Sequence, residues 1–376
     1  MTGRSAKLPH QVRAAGAAAE RGRPVALPSL TGLRWTAALM VFLYHVYVVE
    51  YFGGRMGSTL GFAFGAGNTG VSFFFVLSGF VLAWSSPPGS GGPVRFWRRR
   101  LARVYPLHAA TALIALAMAY FLAAGAKPPT RQLLANLFLV QSWPQDVSFY
   151  QSVNPVSWSL ACEAFFYLLF PLIIRPLRAA GRHAGTVLGV LSLAAVVVVP
   201  AVVDDWLHPV DTGWAVYYFP LARLPEFLLG IALAELVRAG RWRGPGLTAS
   251  LGLTVFGYFM ASQADFLYRY AACTVVGFAA LIAAAATADL KGEPSPWRGS
   301  LGVKLGELSF AFYMVHILVI RTGENLFTSH PKSEWPTGLL VTAAAFTVSL
   351  GVAWLLHTFV EVPGRRLLLP DRSDRS

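Results

Sequence analysis

An arginine and a histidine lie on one face of the first apolar segment. In LTGLRWTAALMVFLYHV, Arg34 and His45 are 11 residues apart, so a helix sets them close to three turns and about 16 Å apart. A guanidinium at the edge of a membrane can hold an anionic cosubstrate, and a neutral imidazole deeper in can take a proton as a general base. The competing structural roles are a snorkelling arginine and a histidine bonded to a neighbouring helix. A second cluster is PVRFWRRRLARVYPLH, residues 93–108, with five arginines and the aromatics Phe96, Trp97 and Tyr105. There Arg100 and Arg103 are one turn apart and can clamp one phosphate, because guanidinium forks match phosphate oxygens. The same run also serves as a stop signal with an aromatic belt.

Carboxylates complete the set. Glu163, in SVNPVSWSLACEAFFYLLFP, lies about a turn into an apolar stretch, and a lone carboxylate there needs a partner. Arg34 and Arg223 are the candidate ion partners, and orienting the His45 imidazole is the catalytic alternative. Arg223 and Glu226 stand at i and i+3 in FPLARLPEFLLG, which favours a pair on their own helix. His316, beside Tyr313 in LGELSFAFYMVHILV, reads as a helix-packing residue, and His357 and Glu361 lie near the end of the last apolar segment.

The elements that must position these groups follow from composition. The chain has 376 residues, of which 55% are hydrophobic and only 13% charged, and its mean hydropathy is +0.52. Soluble domains carry about a quarter charged residues, so this is the composition of a membrane protein. Ten apolar segments are predicted as transmembrane helices: 31–50, 68–85, 106–124, 157–174, 186–203, 215–237, 247–262, 270–288, 300–320 and 336–358. Helices are required because an open strand edge in hydrocarbon leaves backbone groups unpaired. The stretch 131–143 is too short to span and reads as interfacial. Cys162 and Cys273 both sit in apolar stretches, which excludes a disulfide framework, and no zinc-ligand spacing is present. No metal is expected.

Lys and Arg divide unevenly between the connections. One side receives 23, in the N-terminal tail, at residues 95–103, 175–182, 238–243 and 291–304, and after 364; the other receives six. An excess of this kind marks the cytoplasmic side, so an even number of spans puts both termini there. The formal charge of +13 is therefore mostly topology, and no nucleic-acid recognition motif accompanies it. Residues 1–29 read as a disordered basic tail and 367–376 as a second cytoplasmic tail. No internal repeat is visible, which weakens a transporter built from inverted repeats.

Seven segments in order, SLTGLRWTAALMVFLYHV, GVSFFFVLSGFVL, FWRRRLARVYP, SWSLACEAFFYLLFP, RLPEFLLG, LGELSFAFYMVH and FVEVPGRR, resemble the integral-membrane acyltransferase family 3 from about residue 28 to 366. The resemblance implies an all-α transmembrane acyltransferase domain over 30–366, in a bacterial plasma membrane. It implies transfer of an acyl group, usually acetyl, from cytoplasmic acyl-CoA to a hydroxyl of a polysaccharide, a peptidoglycan sugar or a secondary metabolite. SLTGLRW, FFFVLSGFVLAWS and NPVSWSLACE are most similar to the actinobacterial branch that acylates macrolides. The family's Arg and His fall on Arg34 and His45, its Arg-x-x-Arg on Arg100 and Arg103, and its acid on Glu163. Acyl-CoA phosphates are then expected on Arg34, Arg100 and Arg103, with His45 and Glu163 catalytic. Many members carry a second acid next to that glutamate where this chain has Ala164. Two other readings compete: a transporter or flippase without acyl chemistry, and the other large membrane acyltransferase family, which uses a His and an Asn. The Arg–His pair of the first segment argues against the latter.

Overall fold

A computed structural model describes residues 25–51, 54–87, 92–122, 127–206, 211–265, 267–326 and 335–369. Among these residues the chain is helical and has no strand. The helices are α1 (Pro28–Val48), α2 (Gly54–Phe64), α3 (Gly70–Ser85), α4 (Pro93–Phe121), α5 (Thr130–Leu137), α6 (Trp158–Ala179) and α7 (Ala184–Trp206). They continue with α8 (Pro220–Arg238), α9 (Leu247–Gln263), α10 (Val275–Lys291), α11 (Ser300–Leu326), α12 (Trp335–Leu356) and α13 (Val362–Leu368). A single turn at Val147–Tyr150, 3₁₀ turns at Gly67–Thr69 and Pro155–Ser157, and π turns at Trp214–Tyr218 and His357–Glu361 connect them. Proline opens α1, α4 and α8, where its fixed φ suits the first turn and its missing N–H costs nothing. Gly292, at φ 72°, ends α10 in the left-handed region that glycine adopts freely.

Six helical segments are long and apolar enough to cross a membrane: 57–85, 93–121, 155–179, 184–205, 300–324 and 336–368. The other four expected spans are helical too, as α1, α8, α9 and α10. The last two have 17 residues each, while α1 and α8 carry ionisable side chains inside them. Two boundaries differ from expectation. The arginine-rich run forms the first three turns of the 29-residue α4, which begins 13 residues before its predicted span, and α10 starts five residues later than its own. The short α5 falls where an interfacial stretch was expected. Residues 1–24 and 370–376, most of the two predicted tails, lie outside the described residues. Residues 28 and 29, assigned to the first tail, instead begin α1, where Ser29 N and Oγ donate to Asp289 at 2.8 and 2.7 Å.

The core runs along α3, whose apolar window is 83% buried, whereas those of α7 and α12 are 22% and 17% buried and leave their apolar faces outward, as lipid contact requires. Helices in lipid gain little from burying apolar surface against one another, so small residues that permit close packing decide which helices touch. A Cβ at Gly79 would overlap the Phe227 carbonyl, and one at Gly230 would overlap the Val76 carbonyl, so α3 and α8 cross backbone to backbone. Gly306 does the same against Thr31 and draws α11 onto α1. Arg178 and Arg238 seal one end of the bundle. They donate to the carbonyls of Ala83, Trp84 and Ser86 at the C-terminus of α3 and share the Glu235 carboxylate, at 2.7 and 2.6 Å. Cations from α6 and α8 thus satisfy orphan carbonyls of a third helix.

Candidate active site

Helix α4 carries its arginines on two faces. Arg95, Arg98 and Arg99 are exposed, while Arg100 and Arg103 turn inward. The Trp97 indole N–H donates to the Tyr167 carbonyl at 3.0 Å and fixes α4 against α6. This brings Arg100 and Arg103 together with Arg34 of α1 and Glu163 and Tyr167 of α6 around one cavity of about 260 Å³. Ser78 and Ser85 of α3 and Ser309 and Tyr313 of α11 complete its polar lining, and Phe74, Phe75, Leu77 and Leu160 supply an apolar wall. None of the three guanidiniums forms a salt bridge or a hydrogen bond among the described residues, and Arg100 Nε is buried without an acceptor. Glu163 accepts a hydrogen bond from the Tyr167 hydroxyl at 2.7 Å, one turn along its own helix. Three half-buried cations and a single carboxylate leave the cavity electropositive, and such a cavity binds anions.

His45 lies further along α1, and its partner is His316. His316 Nε2 stands 3.0 Å from His45 Nδ1, while His45 Nδ1 is also 2.9 Å from the Val41 carbonyl. His316 Nδ1 faces the carbonyls of Tyr313 at 2.7 Å and Phe312 at 3.2 Å. A carbonyl can only accept, so both Nδ1 atoms carry hydrogen and, with both rings neutral, both Nε2 atoms are bare. His45 Nδ1–H is then shared between the Val41 carbonyl and the His316 Nε2 lone pair. The Nε2 of His45 remains available to take a proton. His316 is fully buried and His45 partly exposed. Phe42 and Phe312 pack against the pair, with ring centroids 6.2 and 6.0 Å from His316.

Tyr313 stands between the arginine cavity and the imidazoles. Its hydroxyl bonds Ser159 Oγ at 2.9 Å and the Val156 carbonyl at 3.2 Å, and it lies one turn before His316 on α11. Glu163 lies one turn from Ser159 in the opposite direction. The carboxylate and the imidazoles are therefore about two turns, or about 11 Å, apart along the bundle. The expectation that Glu163 hydrogen-bonds His45 is thus not met: its partner is Tyr167, and its surroundings are the arginines. The packing role expected for His316 agrees with its burial and its contact across to α1, and the partner in that contact is His45. The signal for this was present, because two histidines inside apolar helices each need a partner, and each can serve the other.

Two further pairs of ionisable groups lie within the helices. Arg223 and Glu226 are 3.1 Å apart and each 1% exposed, as their i, i+3 spacing suggested. Arg223 also donates to Ser72 Oγ at 2.7 Å and lies against the rings of Phe75 and Tyr217, 5.4 Å from each. His357 Nδ1 and Glu361 are 2.9 Å apart across the π turn. Among the described residues no group of three or more His, Cys, Asp or Glu is placed to hold a metal ion. A second cavity, of about 300 Å³, lies beyond His316 toward the C-terminal end of α11. Arg321, Lys127, Gln132, Gln151 and Ser152 form its polar side, with Ala115, Met118 and Leu318 opposite.

Long apolar helices closed around buried ionisable groups define a multi-pass membrane protein with a polar centre inside its bundle. A family model described as an acyltransferase domain matches residues 27–358, and the chain belongs to that acyltransferase family. It is therefore an enzyme. The chain is 39% identical over 362 residues to the acyltransferase MdmB of Streptomyces mycarofaciens, covering 92% of this chain and 93% of the relative. It is 29% identical over 233 residues to the O-acetyltransferase OatA of Staphylococcus aureus, covering 56% of this chain and 35% of that protein. A putative peptidoglycan O-acetyltransferase of Bacillus subtilis, YrhL, is 27% identical over 331 residues, 78% of this chain and 48% of the relative. No solved structure matches the chain.

The pairing of Arg223 separates it from the unpaired cluster, and stability reports the difference. Arg223→Leu strands the Glu226 carboxylate and is expected to cost about 3–5 kcal/mol. A double Arg223→Met/Glu226→Leu variant, which removes both charges, should recover most of that. Thermal unfolding in detergent checks this: a double variant as unstable as the single one contradicts it.

Proposed function

We propose that this protein is an acyl-CoA-dependent O-acyltransferase of a bacterial plasma membrane. On this reading ten helices cross the bilayer and both termini are cytoplasmic, consistent with the distribution of Lys and Arg. The observation that carries the proposal is the cluster of Arg34, Arg100 and Arg103, three cations that form no salt bridge among the described residues and share one carboxylate, Glu163, around one cavity. Phosphate oxygens of coenzyme A meet the need of those guanidiniums for acceptors. The acyl-pantetheine arm passes Tyr313 toward the imidazole pair, over a depth comparable to the rise of about 16 Å from Arg34 to His45.

The chemistry is a single displacement. His45 Nε2 takes the proton of the acceptor hydroxyl as the oxygen attacks the thioester carbonyl carbon. The carbon–sulfur bond then breaks, and the thiolate leaves and is reprotonated. The acyl group is acetyl, a reading supported by the O-acetyltransferases among the relatives. The acceptor is a hydroxyl of a secondary metabolite such as a macrolide, or of a carbohydrate. The similarity to a Streptomyces acyltransferase along nearly its whole length favours the former. The second cavity, with amide and hydroxyl groups on one side and aliphatic groups on the other, suits an amphipathic polyol entering from the opposite end. Glu163 works at the donor cavity, where its carboxylate limits repulsion among the arginines until the phosphates arrive. A transporter without acyl chemistry would leave acetyl-CoA intact.

Four measurements check this. His45→Ala should lower the rate of acyl transfer about 10²–10⁴-fold at equal membrane expression, the usual effect of losing a positioned general base. Activity within threefold of wild type ends the assignment. Arg103→Ala should raise the KM for acetyl-CoA more than it lowers kcat, because it removes binding shared by the ground and transition states. Inverted vesicles should use added acetyl-CoA and right-side-out vesicles should not, and the reverse result would overturn both the sidedness and the phosphate role. Glu163→Gln should lower the thermal stability of the ligand-free protein by about 1 kcal/mol, with coenzyme A restoring most of it, as an anion that binds the folded state would. A deficit that coenzyme A leaves untouched would show the carboxylate to act elsewhere.

A further inference from the structure

We infer that His316 is a positioning residue for His45, filling with a neutral imidazole the role that a carboxylate fills in hydrolytic triads. The inference rests on reading His45 as the base, and it concerns what makes that imidazole one. A histidine has two tautomers, and only the one with Nδ1–H and a bare Nε2 can take a proton at the outward nitrogen. Two acceptors converge on His45 Nδ1: the Val41 carbonyl at 2.9 Å and His316 Nε2 at 3.0 Å. The carbonyl belongs to the same helix as His45 and would accept from this nitrogen in any rotamer that points back along α1. The His316 lone pair comes from another helix, so it fixes the ring plane as well as the tautomer.

His316 can accept only because its own tautomer is fixed first. Its Nδ1–H is held by the carbonyls of Tyr313 and Phe312, which leaves Nε2 bare, and the residue is fully buried. No carboxylate hydrogen-bonds either ring among the described residues. The proton relay therefore contains two backbone carbonyls and two neutral rings, with no formal charge before reaction. When His45 takes the acceptor's proton at Nε2, the new cation is met at Nδ1–H by the His316 lone pair and the Val41 carbonyl. Both hydrogen bonds strengthen as the charge develops, so the gain acts on kcat and leaves donor binding alone. A neutral acceptor also avoids leaving a charged carboxylate in an apolar helix pair while the enzyme waits for substrate. The close approach of α1 and α11 that Gly306 permits against Thr31 is what lets the two rings meet.

The variants are H316L, which removes the acceptor, and H316Q, whose amide oxygen can take the place of Nε2. Each is measured by thiol release from acetyl-CoA in membranes supplied with a macrolide bearing free secondary hydroxyls. H316L should lower kcat about 10²-fold with the KM for acetyl-CoA within twofold, and H316Q should recover at least about tenfold of that loss. H45A and the double variant H45A/H316L should be equally slow within about twofold, since residues that act as one unit are not additive. If H45A is inactive while H316L keeps wild-type kcat, the positioning role fails and the base assignment stands. If H45A keeps wild-type activity, the base assignment itself fails. A readout that needs neither acceptor nor variant folding is ¹⁵N NMR of the histidine-labelled wild-type protein in lipid. Both His45 and His316 should show protonated Nδ1 and bare Nε2. An Nε2-protonated His45 would overturn the inference.

Discussion

Charge inside an apolar bundle must be paired, and that constraint organises this protein. Taking an ion from water into such surroundings costs several kcal/mol unless an opposite charge and hydrogen bonds meet it. The bundle obeys this almost everywhere. Arg223 has Glu226, Arg178 and Arg238 share Glu235 and the carbonyls ending α3, and His357 has Glu361. Arg34, Arg100 and Arg103 are exceptions that share one cavity, and Arg321 is a further one at the second cavity. Three unpaired guanidiniums in one place amount to a stored requirement for an anion, which sets them apart from a scatter of snorkelling side chains. The lone carboxylate among them reduces that requirement without cancelling it.

Small residues set the distances on which this arrangement depends. At the crossing of α3 and α8, Gly79 and Gly230 let the two backbones touch, which brings Ser72 and Phe75 of α3 onto Arg223. A larger side chain there would move α3, and α3 forms one wall of the arginine cavity. On the other side of the core, Gly306 against Thr31 and Gly32 against Trp297 draw α1 toward α11 and its preceding loop. Side chains thirteen residues beyond Gly32 and ten beyond Gly306 then meet as the imidazole pair. Packing and chemistry are separate links of one chain: the glycines contribute no functional group, yet they decide which functional groups are neighbours.

What a sequence reveals here is what a single helix can encode. The i, i+3 pair of Arg223 and Glu226, the one-turn spacing of Arg100 and Arg103, and the apolar lengths of the long helices are local periodicities, and all are present in the structure. The partner of Glu163 was equally local, since Tyr167 follows at i+4, but the search for a counter-ion hid a neutral hydroxyl that serves as well. Long-range neighbours are different. His45 and His316 are 271 residues apart in sequence, and no periodicity along α1 or α11 says that these two helices pack together. The expected contact of Glu163 with His45 is absent for the same reason, because spacing along one helix says nothing of how far it is shifted along its neighbours. The arginine-rich run shows the opposite case. It was legible as a basic surface, and only its continuity with α4 reveals that one face of it points inward.

The polar centre also separates two electrostatic environments along one axis. At one end stand fixed cations around a cavity, and at the other a cavity of amides and hydroxyls that Arg321 and Lys127 also line; a neutral imidazole pair lies between them. The neutrality follows from the hydrogen bonds, because rings whose Nδ1–H groups are committed to carbonyls gain no further acceptor to stabilise a second proton before reaction. A cationic imidazole could not take a proton, and its charge would add to that of the arginines in the bundle. A carboxylate in place of His316 would attract those same arginines and compete with an incoming polyanion. A neutral acceptor leaves the cation cluster free for a ligand and orients the His45 ring without adding charge. The Tyr313 hydroxyl, bonded to Ser159 and the Val156 carbonyl, marks the boundary between the charged end and the neutral one.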